Sequence, residues 1–217
     1  MTTWTNNDIY LTENLVKEPK PLAEATAKIR QTNLPSMEVS PAQGKFLYLL
    51  AKIKNATRIL EIGTYYGYST MWFAKALPKD GTITTIEMTE KFTKMAEQNL
   101  KKSGDLQKAN LLTGDASQIL TTLIQNNTPP YDLIFIDAHK PSYPEYLALC
   151  LKLSKQGTII IGDNIILGRE ISLANNPKAE GIREYIEALG SLENIESTAL
   201  QTVGVKGYDG FTVSVVG

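Results

Sequence analysis

The chain has 217 residues, of which 42% are hydrophobic and 21% are charged, and its 22 Lys and Arg side chains nearly balance 23 Asp and Glu, for a net charge of −1. This composition is typical of one globular domain and excludes disordered and fibrous proteins. The balanced charge argues against nucleic-acid and anionic-membrane partners, and no apolar run approaches the ~20 residues of a membrane-spanning helix. The single cysteine, Cys150, excludes an intramolecular disulfide. With a polar amino terminus that lacks a signal pattern, these features favour a cytoplasmic protein.

The first 55 residues read as a helical preface to the domain rather than as a separate one. The pattern of Ala23 to Gln31 predicts one helix. Ser40, Pro41 and Gln43 then form a capping box, with Ser at the N-cap, Pro at the first helical position and Gln at the third. This box predicts a second helix that continues through Ile53.

From Arg58 onward, short apolar runs alternate with amphipathic stretches, which is typical of an α/β domain with a mostly parallel sheet. The predicted buried strands are Arg58–Ile62, Thr82–Glu87, Asn110–Thr113, Asp132–Asp137 and Gly157–Gly162. The predicted helices are Ser69–Leu77, Glu90–Ser103, Ala116–Asn126, Tyr143–Leu153 and Ile182–Leu189. Two last strands, Ile195–Leu200 and Phe211–Val216, follow around a glycine-rich turn, so we expect an antiparallel pair at one edge of the sheet.

One long irregular stretch interrupts this alternation, from Asn164 to Gly181. It is too polar for the core and longer than most connections between elements. These properties are typical of a lid or a binding loop.

A glycine-containing turn joins the first predicted strand to the helix that follows. Between Glu61 and Ser69 it carries Gly63 and Gly67 in a G-x-x-x-G spacing, with Glu61 two residues before the first glycine. Glycine lets a ligand approach bare backbone, and the amides that open the helix favour polar or negative groups. The spacing differs from the G-x-G-x-x-G of dinucleotide-binding folds, which disfavours a nicotinamide dehydrogenase.

Acidic residues follow the second and third strands. Glu87 ends the second strand, where a carboxylate can accept hydrogen bonds from both hydroxyls of a ribose. Asp115 follows the third strand, and there it either accepts from an adenine amino group or simply caps the next helix. Together with the glycine turn, these acids favour an adenosine-containing ligand at the carboxyl edge of the sheet.

Further polar residues follow the fourth and fifth strands. Asp137 closes one, and Asp163 and Asn164 close the other, so their side chains are expected about 5 Å apart. Two carboxylates and an amide oxygen suit Mg²⁺, Mn²⁺ or Ca²⁺, although acids at strand ends also serve as helix caps. Lys140 lies just beyond Asp137, and a nearby cation would lower the pKa of its amine enough for a base; the alternative is an ordinary surface lysine.

The sequence contains one histidine and one cysteine, and neither is predicted to bind zinc or to act as a nucleophile. His139 stands beside hard oxygen ligands, where a lone histidine more often lines or rims a pocket than binds zinc. Cys150 falls within the apolar periodicity of a predicted helix, which is typical of a core residue rather than a nucleophile.

In their order and spacing, these segments resemble the cation-dependent class I S-adenosylmethionine O-methyltransferases, which include catechol and caffeoyl-coenzyme A O-methyltransferases. The resemblance extends from about Met37 to Val216. The matching pieces are Glu61–Ser69, Glu87, Gly114–Ala116, Asp137–Lys140, Tyr143, Tyr146 and Asp163–Asn164.

The resemblance implies a Rossmann-like domain whose seven-stranded, mostly parallel sheet has helices on both faces and an antiparallel last strand. It also implies bound S-adenosylmethionine and a divalent cation, Mg²⁺ or else Mn²⁺ or Ca²⁺, held by Asp137, Asp163 and Asn164. Lys140 would be the general base, and Asp137 would also be a catalytic residue.

The same resemblance gives the expected contacts. For the cofactor these are Met37 and Val39 around the sulfonium, then Glu61, Gly63, Tyr65, Ser69, Glu87, Met88, Asp115, Ala116, Asp137 and His139. For the acceptor they are His139, Lys140, Tyr143 and Arg169. The family usually has Asp or an aromatic residue where His139 stands, so this position bears on the identity of the acceptor.

The leading hypothesis is a metal-dependent O-methyltransferase that acts on a small catechol-like phenol and forms a homodimer. A second is methylation of a hydroxylated tRNA base, for which Lys94, Lys101, Lys102 and Lys108 would supply a local basic patch despite the net charge. A third is a non-catalytic module that binds an adenosine nucleotide. Lys140 and the Asp163–Asn164 pair argue against it, because a pure binder needs neither.

Overall fold

The computed structural model describes residues 2–167, 171 and 175–217. Three helices precede the sheet: α1 (Thr3–Leu15), α2 (Lys20–Arg30) and α3 (Pro41–Ile53). The Ser40 hydroxyl accepts a hydrogen bond of 3.1 Å from the Gln43 backbone amide, so the predicted cap of α3 is confirmed. The sequence pattern does not predict α1, because its segment is polar and the helix buries none of its residues.

Seven strands form one sheet in the order β3-β2-β1-β4-β5-β7-β6. They are β1 (Arg58–Ile62), β2 (Thr82–Glu87), β3 (Ala109–Thr113), β4 (Leu133–Ile136), β5 (Ile159–Asp163), β6 (Ile195–Gly204) and β7 (Gly207–Val216). The first five pair in parallel, and β7 runs antiparallel to both β5 and β6. The predicted mostly parallel sheet is therefore confirmed. Strand order reverses between β1 and β4, the place where open α/β sheets bind ligands.

The remaining helices connect the strands. They are α4 (Tyr68–Ala76), α5 (Glu90–Ser103), α6 (Ala116–Gln125), α7 (Tyr143–Lys152) and α8 (Pro177–Ser191), with short 3₁₀ turns at Leu106–Lys108 and Lys140–Ser142. The helix predicted from Ile182 begins earlier, at Pro177, because the Asn176 side chain accepts a hydrogen bond from the Ala179 amide at 3.1 Å and caps it.

The last two strands are longer than the sequence pattern predicts. Their ladder runs to the pair Gly204 and Gly207, which leaves only Val205 and Lys206 in the turn. Strand β6 is mostly exposed and its extension carries polar residues, so a search for apolar runs does not predict it. As a result, a long hairpin reaches over the carboxyl edge of the sheet.

The core has two layers, one on each face of the sheet. One layer contains Trp72, Phe73 and Phe135, and the other contains Tyr143 and Tyr185. Helix α3 packs closely on α4 at Gly44, where an added Cβ would lie 2.3 Å from the Trp72 indole nitrogen. The first layer also contains apolar side chains of α2 and α3, so these helices share a core with the sheet.

Among the residues that the structure describes, none of the helices combines the length and apolar character needed to cross a lipid bilayer.

The Asp132 carboxylate joins the starts of β1 and β4. Its Oδ2 accepts from the Thr57 amide at 2.8 Å and the Arg58 amide at 2.9 Å, and its Oδ1 pairs with Lys155 Nζ at 2.6 Å. Burial opposes ionisation of this carboxyl, but Lys155 and the backbone donors outweigh it and hold the pKa of Asp132 well below its usual value. Its ionised form therefore stabilises the fold.

We expect the Asp132→Asn variant to lose about 1 to 3 kcal/mol of unfolding free energy at pH 7. Because the folded-state pKa is lowered, this contribution is present above the unfolded value of about 3.9 and is lost as the pH falls below it. Urea unfolding at pH 7 and at pH 3 would measure the difference, with the exposed Asp80→Asn as control. An equal difference between wild type and Asp132→Asn at both pH values would contradict this account.

Candidate active site

A cleft of about 1550 Å³ opens at the carboxyl edge of the sheet, between β1, β2, β4 and β5 below and the β6–β7 hairpin above. Most of the residues predicted from the sequence line it: Met37, Val39, Gly63, Tyr65, Ser69, Glu87, Met88, Asp115, Ala116, Asp137, His139, Lys140, Asp163 and Asn164. Glu61 and Tyr143 do not belong to its wall. Arg169, and with it the middle of the predicted lid from Asn164 to Gly181, lies outside the described residues.

The glycine turn brings the ends of β1 and β4 into contact. Gly63 has a φ of +99°, and an added Cβ would lie 2.0 Å from the main-chain oxygen of Asp137. A side chain there would push the two strand ends apart, so the close approach requires glycine. Asp137 is thereby fixed directly beside the turn.

Glu87 is oriented toward the cleft by two backbone amides. Its Oε2 accepts from the Tyr65 amide at 2.8 Å and its Oε1 from the Thr89 amide at 3.0 Å. The remaining lone pairs of this half-buried carboxylate can accept from a vicinal diol. Asp115 also lines the cleft while its side chain accepts from the Gln118 amide at 3.0 Å, so it acts as a helix cap at the cleft wall.

Glu61 occupies a different position from the one expected. It is fully buried, and its carboxyl accepts hydrogen bonds from Ser69 Oγ at 2.6 Å, Thr85 Oγ1 at 2.6 Å and the Thr70 hydroxyl. Burial raises the pKa of Glu61 to about 7, although these hydroxyls lower it. The carboxyl therefore ties the start of α4 to β2, and one of its donors, Ser69, also lines the cleft.

Lys140 is the centre of a buried polar cluster at the ends of β4 and β5. Its Nζ lies 3.0 Å from Asp137 Oδ1, 3.0 Å from the main-chain oxygen of Asp163 and 3.5 Å from Asn164 Oδ1. The side chain is only 10% exposed. The predicted strand-end set is thus brought together, with the ammonium group in its middle.

Tyr143 lies beneath this cluster rather than against the space for an acceptor. It is fully buried, and its hydroxyl receives a 2.6 Å hydrogen bond from Lys140 Nζ and donates toward the main-chain oxygens of Asp163 and Ile136. Burial, together with the Asp137 charge, holds the pKa of the Tyr143 hydroxyl well above its usual value. We therefore assign Tyr143 to the support of Lys140 instead of direct contact with the acceptor.

The donor chemistry of the cluster fits a hard divalent cation. Asp163 is only 2% exposed, and burial and the neighbouring Asp137 charge raise the pKa of its carboxyl above its usual value, while Lys140 lowers it. Two neighbouring acids, of which only Asp137 has its carboxylate paired with the Lys140 ammonium group, favour additional positive charge. Within the described ranges, no group of three or more His, Cys, Asp and Glu side chains is arranged to hold a metal ion, so a cation here would depend on only two carboxylates and the Asn164 amide oxygen.

His139 stands at the exposed rim of the cleft. Its Nδ1 lies 3.1 Å from Ser142 Oγ, which limits the orientation of the ring. Met37 and Met88 are also exposed there. These side chains are placed to contact a ligand that enters from solvent.

Three polar residues that line the cleft escape the sequence analysis. Gln43, read only as part of a helix cap, lies close enough to Asp163 to lower the pKa of its carboxyl. Glu38 and Asp209 are a buried and a half-buried acid on opposite sides of the cleft. The only sequence signal for Asp209 is its position in the glycine-rich turn, which reads equally well as a turn residue.

Comparisons with known proteins agree with this geometry. A family model described as O-methyltransferase matches residues 12–213. The chain is 41% identical over 211 residues to a catechol O-methyltransferase of Niastella koreensis, with 96% of each chain covered. Among solved structures, the O-methyltransferase TomG from Streptomyces achromogenes, involved in tomaymycin synthesis and in complex with SAM, superposes with a TM-score of 0.95 at 41% identity, over 100% of this chain and 99% of that one. An O-methyltransferase from Bacillus cereus in complex with SAH superposes with a TM-score of 0.95 at 41% identity, over 99% of each chain. This chain therefore belongs to the O-methyltransferase family.

Proposed function

We propose that the protein transfers a methyl group from S-adenosylmethionine to a hydroxyl of a small catechol-like phenol, with the help of a divalent cation. The observation that carries this proposal is the cluster around Lys140, where Asp137 and Asn164 oxygens meet the ammonium group in the cleft that Glu87 also lines. Structural relatives in complex with SAM and SAH and a relative named catechol O-methyltransferase support it.

In this proposal the glycine turn and Glu87 bind the nucleoside half of the cofactor. The Glu87 carboxylate accepts from the two ribose hydroxyls, while Asp115 accepts from the adenine amino group. Met37 and Val39 flank the sulfonium. This arrangement directs the methyl group toward the cluster of Asp137, Asp163 and Asn164.

Asp137, Asp163 and Asn164 would hold the cation. When bound, it supplies positive charge that favours the ionised form of an acceptor hydroxyl at neutral pH. Apolar and aromatic side chains of Met37, Phe46 and Phe211 line the same cleft and suit a phenyl ring.

Lys140, whose amine form the positive charge of the bound cation would favour, accepts the hydroxyl proton at Nζ. The acceptor oxygen forms a bond to the methyl carbon as the carbon–sulfur bond breaks, and the electron pair of that bond remains on sulfur. The chain contributes chiefly by holding oxygen, carbon and sulfur in line. Tyr143 keeps Nζ in place from below.

Two observations favour a small acceptor over a tRNA. Lys108 Nζ donates to the main-chain oxygens of Ala74 and Leu77 at 2.9 and 2.8 Å, and Lys94 pairs with Glu90 at 2.7 Å. These two members of the expected basic patch are therefore already engaged by the protein. For the homodimer, support comes from α1, which exposes several large apolar side chains, namely Trp4, Tyr10, Leu11 and Leu15.

We expect Glu87→Ala to weaken S-adenosylmethionine binding by about 1.5 to 3 kcal/mol, because charged hydrogen bonds to the ribose are lost. Isothermal titration calorimetry measures this directly. Glu97→Ala, an exposed acid on α5, is the matched control and should bind like wild type. Wild-type affinity in Glu87→Ala would show that the ribose assignment is wrong.

Methyl transfer should stop in excess chelator and return with Mg²⁺ or Mn²⁺. The Asp163→Asn variant should mimic chelation and still bind S-adenosylmethionine, since the buried amide preserves the volume of the carboxylate. Turnover with a catechol panel, compared with that of Asp80→Asn, tests both statements. Unchanged turnover in chelator would exclude the proposed cation.

Lys140→Met should reduce kcat by about 10²- to 10⁴-fold, the usual scale of general-base catalysis, with little change in cofactor affinity. Phenols of low pKa should be methylated more nearly at the wild-type rate, because they ionise without a base. Lys152→Met on the exposed side of α7 is the control. If kcat for a catechol stayed at the wild-type value from pH 6 to 9, the proton acceptor would not be Lys140.

A further inference from the structure

The Asp209 carboxylate crosses from strand β7 to the segment that follows β5. Its Oδ1 accepts from the backbone amides of Ile166 at 3.0 Å, Leu167 at 3.1 Å and Gly210 at 2.8 Å. Its Oδ2 accepts from Asn164 Nδ2 at 3.3 Å. One side chain of the hairpin thus holds the segment that contains a proposed cation ligand.

The segment needs such an anchor because its backbone is strained. Asn164 and Leu167 have φ values of +54° and +57°, which residues other than glycine rarely adopt. The Ile165 amide adds a 3.0 Å hydrogen bond to the main-chain oxygen of Gly210. The start of β7 therefore fixes both the path of this segment and the place of Asn164.

The hydrogen bond also determines which end of the Asn164 amide faces the cluster. A carboxylate can only accept hydrogen bonds, so Asp209 takes the NH₂ group of Asn164. The amide oxygen is then left on the other side, 3.5 Å from Lys140 Nζ. If the amide were reversed, two acceptors would face each other at Asp209, and an NH₂ group would face the cation site.

We propose that Asp209 is a positioning residue that presents the oxygen of Asn164, rather than its nitrogen, to the divalent cation. The inference rests on the cation of the proposed function. Neighbouring groups of a metal ligand commonly change metal affinity by about 10- to 100-fold when they are replaced.

Exchanging the side chains of residues 164 and 209 tests the orientation of the Asn164 amide separately from the net charge of the pair. In Asp209→Asn, the new amide oxygen can keep the backbone donors, but its NH₂ group meets that of Asn164 and favours the reversed amide. In the double variant Asn164→Asp/Asp209→Asn, the NH₂ group at position 209 donates to the new carboxylate, and the net charge equals that of wild type. Asn164→Asp alone has one more negative charge but places two carboxylates against each other.

The experiment is Mn²⁺ binding to the purified proteins, followed by electron paramagnetic resonance, with S-adenosylmethionine affinity measured by calorimetry on the same samples. We expect Asp209→Asn to bind Mn²⁺ about 10- to 100-fold more weakly than wild type, while cofactor affinity changes less than about twofold. The double variant should regain most of the lost Mn²⁺ affinity. Asp8→Asn, which removes the acid that accepts from the Val205 amide at the tip of the same hairpin, should bind Mn²⁺ like wild type.

The comparison between the double variant and Asn164→Asp holds even where Asp209→Asn does not fold. Charge alone predicts that the double variant binds Mn²⁺ more weakly than Asn164→Asp, whereas orientation predicts similar affinities, because either oxygen of a carboxylate at position 164 can face the cation. A double variant that binds Mn²⁺ 10-fold or more weakly than Asn164→Asp, or wild-type affinity in Asp209→Asn, would overturn the role of Asp209 and leave the proposed function intact. A wild-type protein that does not bind Mn²⁺ at all would instead overturn the proposed cation, and this role with it.

Discussion

A buried ammonium group beside two acids constrains the arrangement at the ends of β4 and β5. Lys140 is buried, and its Nζ contacts an oxygen of Asp137, the main chain of Asp163 and the hydroxyl of Tyr143. A charge removed from water is stable only when such partners surround it. The two strand ends, the 3₁₀ turn after β4 and the start of α7 are therefore held in one relative position.

Glu61 and Glu87, at the two strands beside the glycine turn, show that the surroundings of a carboxyl group decide whether it supports the fold or faces a ligand. Glu61 is fully buried among hydroxyl donors, and burial raises its pKa to about 7. Glu87 is half-buried, receives hydrogen bonds from the Tyr65 and Thr89 amides, and lines the cleft. The first carboxyl stabilises the turn, and the second remains available to a ligand.

The β6–β7 hairpin forms the upper wall of the cleft. Lys206 Nζ donates to the main-chain oxygen of Ser36 at 2.9 Å and contacts Glu38 Oε1 at 3.3 Å, which fixes the segment around Met37. Asp209 holds the segment after β5 in the same way. The hairpin thus links both sides of the cleft, although its strand β6 lies at the edge of the sheet.

The sequence by itself determined the α/β architecture, the glycine turn and the strand-end acids, because periodicity, capping and strand ends are local properties. The bounds of β1 and α5 and the cap at Ser40 follow directly from such patterns. Only the tertiary structure decided that Glu61 and Tyr143 are buried supports and that Asp209 bonds to Asn164. Asp209 and Asn164 are 45 residues apart in the sequence. Their contact depends on the packing of the hairpin against β5, which local sequence patterns do not report.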